Sequence, residues 1–252
     1  MRRPRIPDVV VRRLPLYLRI LEDLDRKGWT HVSSQNLGER TGLTPAQVRK
    51  DLTVFGEFGK QGIGYEVRFL RQQLEEILRL NRVINIGLAG AGSLGMALAR
   101  YNIERAKQQR NSQLRLVALF DADPHKVGLR IDGVQVYPVS SMQEKIAELG
   151  IQIMIIAVPA HAAQEVATIC VKSGIKALLN FAPARLQVPP DVRLHNADLT
   201  LELQSLAFYT RGLGKHQNGE PPEEPVVAEH TTSGYNVGEH GIVEPNIDEA
   251  DG

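Results

Sequence analysis

The stretch VINIGLAGAGSLG, residues 83–95, decides the fold of most of the chain. Its first half is short and apolar, as a buried strand is, and its second half is a glycine-rich turn. A helical pattern then runs to about residue 109. The turn holds glycines in the spacing Gly-x-Gly-x-x-Gly at Gly90, Gly92 and Gly95. Because this spacing lies between a strand and a helix, we predict a Rossmann-type domain that binds a dinucleotide.

Each glycine of the turn has a physical task. Gly90 permits the tight turn, Gly92 lets the backbone approach a pyrophosphate, and Gly95 lets the helix pack on the strand. The next strand, residues 114–121, ends at Asp121, where a carboxylate can accept hydrogen bonds from a ribose and repel a 2′-phosphate. This favours NAD(H) over NADP(H). The nucleotide-binding candidates of this region are Gly90, Ala91, Gly92, Ser93, Leu94, Gly95, Asp121 and the nearby Lys126.

The segments that follow alternate between strand and helix. Apolar runs at 151–158 and 177–181 flank a helical pattern at 162–173, which indicates an α/β domain with a parallel sheet. Ligands bind at the carboxyl ends of such strands, so Pro159 belongs to the expected nicotinamide side. His161 lies there too, either as an acid–base group or, as we favour, as a plain helix-start residue.

Catalysis would need more chain than is present. After Pro183 only about thirty residues precede a polar tail, too few for a substrate-binding domain. We therefore assign no catalytic residue. We also assign no metal site, because the chain has a single cysteine and the histidines of its tail are scattered. The main alternative is an NAD-dependent oxidoreductase with a helical N-terminal extension.

The first 82 residues have a different pattern. Apolar periodicity, a Thr-Pro helix start at Thr44 and a glycine-rich segment predict helices followed by a β-hairpin. This order is typical of a winged helix-turn-helix. The predicted helices cover residues 14–27, 34–41, 44–55 and 67–80, and the predicted hairpin covers residues 56–64.

The winged helix-turn-helix is predicted to bind double-stranded DNA. Residues 1–82 carry a surplus of six positive charges, although the whole chain has a net charge of only +1. The helix at 44–55 would enter the major groove, with the hairpin tip against the backbone. A protein-docking module is the alternative for such a helical triad. The DNA-binding candidates are Ser33, Ser34, Gln47, Arg49, Lys50, Thr53, Lys60 and Gln61.

Composition limits the remaining classes of protein. No apolar run is long enough to span a bilayer, and no secretory leader precedes the first helix, so we expect a cytoplasmic protein without membrane contact. The single cysteine, Cys170, lies in an apolar run and is predicted to be a buried structural thiol. Residues 214–252 are acidic and poor in apolar side chains, and we expect them to be a disordered tail.

Several longer motifs resemble the Rex family of redox-sensing transcriptional repressors. The resemblance covers about residues 5–210. It rests on specific segments spread over both halves of the chain, beside the glycine turn itself. They are RLPLYLR at 13–19, VRKDL at 48–52, GKQGIGY at 59–65, NFAPARL at 180–186 and DLTLELQS at 198–205.

The resemblance implies a homodimer with a C-terminal helix swapped under the partner. It also implies NAD(H) as a regulatory ligand, with repression at a low NADH/NAD⁺ ratio and release from operator DNA by NADH. Arg19, Tyr101 and Asp198 would form the switch, and Tyr101 and Asp198 would also contact the nucleotide. With the patterns above, the resemblance predicts a DNA-binding domain at 1–82, a Rossmann domain at 83–198 and a swapped helix at 199–213. The tail at 214–252 lies outside the family pattern.

Overall fold

The computed structural model describes residues 6–108 and 113–210. Their order along the chain is a helical segment with a small sheet, then alternating strands and helices. The first part consists of α1 (Asp8–Arg26), β1 (His31–Val32), α2 (Ser34–Thr41), α3 (Pro45–Thr53), β2 (Gly59–Lys60), β3 (Gly64–Glu66) and α4 (Val67–Ile77). The second part consists of β4 (Ile84–Ala89), α5 (Ser93–Gln108), β5 (Leu114–Asp121), β6 (Arg130–Ile131), β7 (Val134–Pro138), a 3₁₀ turn (Val139–Ser141), α6 (Met142–Glu148), β8 (Ile151–Ile156), α7 (Ala160–Lys172), β9 (Ala177–Asn180), β10 (Arg193–Asn196) and α8 (Leu199–Tyr209).

The four helices of the first part share one apolar core. The predicted helices are all present, but α1 begins at Asp8, earlier than the predicted residue 14. Val10 explains the difference, because it is buried and extends the stripe of Leu14 and Tyr17 by one further turn. Tertiary burial therefore outweighs the poor helix propensity of the β-branched run around Val10.

The small sheet contains the predicted hairpin and one additional strand. β2 and β3 pair antiparallel, and β1 pairs antiparallel with the other side of β3, giving the order β1-β3-β2. β1 has only two residues, which is too short for its periodicity to be visible in the sequence. The arrangement of helices and sheet is that of a winged helix-turn-helix.

The second part is a seven-stranded sheet with helices on both faces. Its strand order is β10-β9-β8-β4-β5-β7-β6, and every neighbouring pair is parallel except β6 with β7. α6 and α7 contribute to the apolar cluster on one face, and α5 contributes to the cluster on the other. The predicted α/β sheet is confirmed, and β6, β7, α6 and β10 are elements that the sequence analysis missed.

Cys170 is fully buried on α7, as predicted. Its Sγ lies 3.9 Å from the sulfur of Met142 on α6. Burial raises the pKa of the Cys170 thiol to about 12. This thiol is therefore a packing group in the Rossmann core.

Helix α8 begins at the predicted residue, Leu199, and has an unusual surface. It is strongly apolar, yet every described side chain from Leu199 to Tyr209 is exposed. The chain divides into two compact units between Glu202 and Leu203, within this helix. The predicted domain boundaries at 82 and 198 stay predictions, and residues 211–252, which include the predicted tail, lie outside the described part. None of the described helices is long and apolar enough to cross a membrane.

Candidate nucleotide site and DNA-binding surface

The glycine turn after β4 is built so tightly that two of its glycines admit no side chain. Gly90 has φ of +99°, and a Cβ there would lie 2.4 Å from the carbonyl oxygen of Ala157. A Cβ on Gly95 would lie 1.7 Å from the carbonyl oxygen of Gly90. A Cβ on Gly92 would meet nothing within 4 Å. The space at Gly92 is therefore open to an approaching ligand, while Gly90 and Gly95 hold the turn against β8 and α5.

Asp121 is the last residue of β5 and lies beside this turn, at the carboxyl ends of the parallel strands. Its carboxylate accepts hydrogen bonds from the backbone N–H groups of Ala91, at 2.6 Å, and Asp123, at 2.8 Å. Lys126 places its Nζ 3.4 Å from the same carboxylate. Burial raises the pKa of Asp121, but the two N–H donors and the Lys126 charge outweigh it and lower the pKa overall. The site therefore contains a fixed negative charge at neutral pH.

The remaining nucleotide-binding candidates lie along the same edge and on α5. Ser93 and Leu94 are exposed in the first turn of α5, whose N-terminal N–H groups are suited to a phosphate. Pro159 is exposed just before α7, and His161 is exposed in the first turn of that helix. The glycine turn, Asp121 and the N-termini of α5 and α7 thus lie at the carboxyl ends of the strands. Their N–H groups and the Asp121 carboxylate are suited to binding a dinucleotide.

The three predicted switch residues lie on three different helices or their ends. Arg19 is exposed on α1, and Tyr101 is exposed on α5, where its hydroxyl accepts a hydrogen bond from Arg105 at 2.9 Å. Asp198 immediately precedes α8. Its carboxylate accepts hydrogen bonds from the N–H groups of Thr200, at 2.9 Å, and Leu201, at 3.4 Å. Asp198 is therefore an N-cap of α8 in this structure.

The predicted DNA-binding residues gather around one cavity in the N-terminal part. This cavity has a volume of about 640 Å³ and lies between the start of α2, the end of α3 and the β2–β3 hairpin. Within it, Arg49 donates a hydrogen bond to the hydroxyl of Ser34 at 2.8 Å, and the Ser33 hydroxyl caps α2. Six of the eight predicted residues line the cavity: Ser33, Ser34, Arg49, Thr53, Lys60 and Gln61. Lys50 is exposed on α3 outside this lining.

Gln47 has a different role from the exposed base contact expected of it. Its side-chain Nε2 donates a hydrogen bond to Asp51 at 2.7 Å, within α3. Asp51 is fully buried and also accepts from the Tyr17 hydroxyl at 2.8 Å and from Arg13 at 3.2 Å. Burial, followed by the Asp51 carboxylate, raises the pKa of Tyr17. The network joins α3 to α1, so Gln47 positions the helix through Asp51 in this structure.

Sequence analysis missed the importance of two buried polar side chains, Asp51 and Asn180. They are the buried polar or charged residues among those described. They stand in the motifs VRKDL and NFAPARL, but their partners come from other segments of the chain. Asp51 bonds to Tyr17, 34 residues away, and Asn180 bonds to Asn196, 16 residues away. A polar residue in an otherwise apolar stripe was the available signal.

Two family models match the chain. One is described as the N-terminus of putative DNA-binding proteins and matches residues 5–53. The other is described as a CoA-binding domain and matches residues 81–184. The two matches fall on the helical part and on the sheet part respectively.

Curated relatives carry the name redox-sensing transcriptional repressor Rex. One from Natranaerobius thermophilus is 45% identical over 209 residues, covering 83% of this chain and 93% of the relative. One from Chloroflexus aurantiacus (strain J-10-fl) is 49% identical over 203 residues, covering 81% of this chain and 93% of the relative. The likeness therefore spans nearly the full length of these relatives.

Solved structures of a repressor called RSP have the same fold. RSP in complex with β-NAD⁺ and operator DNA is 38% identical, with a TM-score of 0.75, over 82% of this chain and 94% of that one. RSP in complex with β-NADH is 36% identical, with a TM-score of 0.70, over 82% and 95% of the two chains. The match extends across both the helical part and the sheet.

Proposed function

Since this chain belongs to the Rex family of redox-sensing transcriptional repressors, we propose that it binds operator DNA when NADH is scarce and leaves it when NADH binds. The observation that carries this proposal is the pairing, in one chain, of a charged winged-helix cavity with a glycine turn facing Asp121. The solved relatives hold NAD⁺, NADH and operator DNA. A repressor that binds operator DNA works where that DNA is, so we place this chain in the cytoplasm.

The nucleotide is recognised by backbone and charge. The N–H groups at the start of α5 face the pyrophosphate, and the open space at Gly92 allows the close approach. The ionised Asp121 accepts hydrogen bonds from the adenosine ribose and repels a 2′-phosphate, so the site prefers NAD(H) to NADP(H). Lys126 lies at the adenosine end of the bound nucleotide, and Pro159 lies at its nicotinamide end.

DNA is recognised by α3 and the hairpin. Lys50, Arg49 and Thr53 face the major groove, and Lys60 and Gln61 reach the backbone from the hairpin tip. Ser33 and Ser34 stand at the start of α2, where a phosphate is favoured. Gln47 reaches a base only by giving up its hydrogen bond to Asp51.

The protein acts as a homodimer, in which the nucleotide site controls the DNA-binding surface. The exposed apolar side chains of α8 need a cover, and a second copy of the chain provides it if α8 is exchanged between protomers. Asp198 pairs with Arg19 in one nucleotide state and with Tyr101 in the other. Both pairs are possible because a carboxylate can pair with a guanidinium or accept from a phenol. The reduced nicotinamide is uncharged and the oxidised one is charged, which gives the choice a physical basis. Only a ligand that binds the two dimer geometries with different affinity can shift them.

A titration of DNA binding tests the function. A duplex selected by the protein itself from a random pool is labelled, and its affinity is measured while NADH/NAD⁺ varies at constant total nucleotide. We expect the affinity to fall by about 5- to 150-fold as NADH replaces NAD⁺, the usual range of coupling between two sites. Equal affinity at all ratios would contradict the proposal. Steady consumption of NADH with small carbonyl compounds would favour the oxidoreductase instead.

Replacing Lys50 by alanine should weaken operator binding about tenfold at every NADH/NAD⁺ ratio. The side chain is exposed on α3, where it can pair with a phosphate or a guanine edge. Lys172→Ala on α7 removes the same charge from a helix of the sheet part and is the matched control. An affinity equal to that of the wild type, or a loss confined to one nucleotide state, would exclude Lys50 from the interface.

A further inference from the structure

Asn180 is a buried amide in a place where an apolar side chain would be expected. It is the last residue of β9, it is 1% exposed, and the rest of that strand, Ala177 to Leu179, is apolar. Burying a polar side chain is unfavourable unless it is hydrogen-bonded. Its partners therefore indicate what the amide is for.

The first set of partners lies in the loop that follows β9. The Asn180 Oδ1 accepts from the backbone N–H of Ala182 at 3.0 Å, and its Nδ2 donates to the carbonyl oxygens of Ala182 and Ala184, both at 3.1 Å. Because a carbonyl can only accept and an N–H can only donate, these contacts fix which way the amide points. The side chain thus holds the loop in one conformation.

This loop belongs to the same edge of the sheet as the glycine turn. Asn180 pairs with Ile156 at the end of β8, and the N–H of Phe181 bonds to the Ile156 carbonyl at 2.8 Å. The N–H of Ala157, the next residue along β8, bonds to the carbonyl of Ala89, directly before Gly90. Two backbone hydrogen bonds, one on each side of the Ile156–Ala157 peptide, therefore join this loop to the glycine turn.

The second set of partners lies at the end of β10. The two Nδ2 hydrogens of Asn180 are shared with a third acceptor, the Oδ1 of Asn196 at 3.0 Å, and the Asn180 carbonyl accepts from the N–H of Ala197 at 2.8 Å. Two residues later stands Asp198, the N-cap of α8. One amide thus touches the loop on the nucleotide edge and the segment that sets the position of Asp198.

We propose that Asn180 and Asn196 are positioning residues that couple the nucleotide edge to Asp198 and the first turn of α8. A displacement of the loop when NADH binds changes the direction of the Asn180 amide, and the bond to Asn196 carries that change to the end of β10. This inference rests on the proposed function. It adds the route within one protomer by which the state of the nucleotide site reaches the residue that begins α8.

The exposed partner is the better residue to test. Replacing Asn180 leaves several backbone groups of a partly buried loop without their side-chain partner and can prevent folding. Asn196 is exposed, so Asn196→Ala removes its side-chain acceptor without opening a cavity. Asn196→Asp keeps an oxygen acceptor for the Asn180 Nδ2. His195→Ala, at an exposed neighbour on the same strand, is the matched control.

The measured quantity is the ratio of operator affinities with NAD⁺ and with NADH, alongside the NADH affinity of the DNA-free protein and its melting temperature. We expect Asn196→Ala to lower the ratio towards one, by a factor of about 2 to 30, the range known for residues that modulate coupling. Its melting temperature and its NADH affinity should stay close to those of the wild type. Asn196→Asp and His195→Ala should keep the wild-type ratio.

The outcomes separate the two claims. A wild-type ratio of one would overturn the proposed function itself. A large wild-type ratio that is unchanged in Asn196→Ala would overturn the coupling role and leave the function standing. A ratio that falls only in step with the melting temperature would make the contact structural, which also contradicts the proposal.

Discussion

Replacement of Asp51 by alanine is expected to lower the free energy of unfolding of the N-terminal part by about 3–5 kcal/mol and to abolish operator binding. Asp51 is fully buried and accepts hydrogen bonds from Tyr17, Gln47 and Arg13, whose side chain is only 14% exposed. Removing the carboxylate leaves the Arg13 charge and the Tyr17 hydroxyl without their acceptor. A small domain has about 5–15 kcal/mol of stability in total, so this loss is a large share of it.

The loss of DNA binding has a geometric cause as well. Asp51 is part of α3, and two of its three partners, Arg13 and Tyr17, are on α1. Without the carboxylate, α3 is no longer held at a fixed angle to α1, and its exposed side chains lose their register with the DNA. Denaturant unfolding of the full chain, followed by circular dichroism, measures the first effect, and fluorescence anisotropy with operator duplex measures the second.

Two milder variants act as controls for Asp51→Ala. Asp51→Asn keeps the volume and one acceptor oxygen but removes the charge, and it should lose less stability than the alanine variant. Tyr17→Phe removes a single hydrogen bond to Asp51 and leaves a buried acceptor with two other donors. Tyr17→Phe should lower the free energy of unfolding by about 1–2 kcal/mol. A denaturation midpoint for Asp51→Ala equal to that of the wild type would show that the hydrogen bonds of Asp51 do not stabilise the protein.

Gly95→Ala should reduce NAD(H) affinity by at least about 100-fold and leave a repressor that no longer responds to NADH. The added Cβ would stand 1.7 Å from the Gly90 carbonyl oxygen, so the turn and the start of α5 must separate. The N–H groups at the start of α5 then no longer converge on a phosphate. Losing two hydrogen bonds to a charged group at about 1.5–3 kcal/mol each gives this factor. Isothermal calorimetry with NADH and operator binding with and without NADH check the two parts.

Gly92→Ala distinguishes a damaged turn from a blocked ligand. A Cβ at Gly92 meets no protein atom within 4 Å, so the melting temperature of the ligand-free protein should not change. If the pyrophosphate approaches the backbone there, NADH affinity falls nonetheless. Normal NADH binding by both variants would show that the glycine turn is not the nucleotide site.

Local signals in the sequence were sufficient for most elements of the fold. The Thr44 cap with Pro45 at the first helical position fixed the start of α3, β5 has the predicted bounds, and α8 begins at the predicted residue. The β6–β7 hairpin also had a local signal that was not used, an Asp132-Gly133 turn in which both residues have positive φ. β10 had no such signal, because a short strand next to β9 is defined by its pairing partner.

The candidate site divides in the same way. Gly90, Gly95 and Asp121 could be predicted, since the turn directly follows β4 and Asp121 ends the next strand of a parallel sheet, where its carboxylate must lie beside the turn. Gln47 could not, because its exposure depends on Asp51, whose burial depends on α1. Interactions between distant segments decide which polar residues of a helix face the solvent, and a single sequence does not contain that information directly.

Burial of Cys170 has a consequence for the kind of signal that this protein registers. It is the sole cysteine of the chain, and burial raises the pKa of its thiol to about 12, so the thiol stays protonated at neutral pH. Thiolates, and hardly at all neutral thiols, attack peroxides and disulfides, so the polypeptide offers these oxidants almost no reactive thiolate. The sensor is thereby insulated from oxidants as such. In the proposed function it reports the reducing power stored in metabolism through NADH, a diffusible and reversible ligand, without undergoing chemistry on its own cysteine.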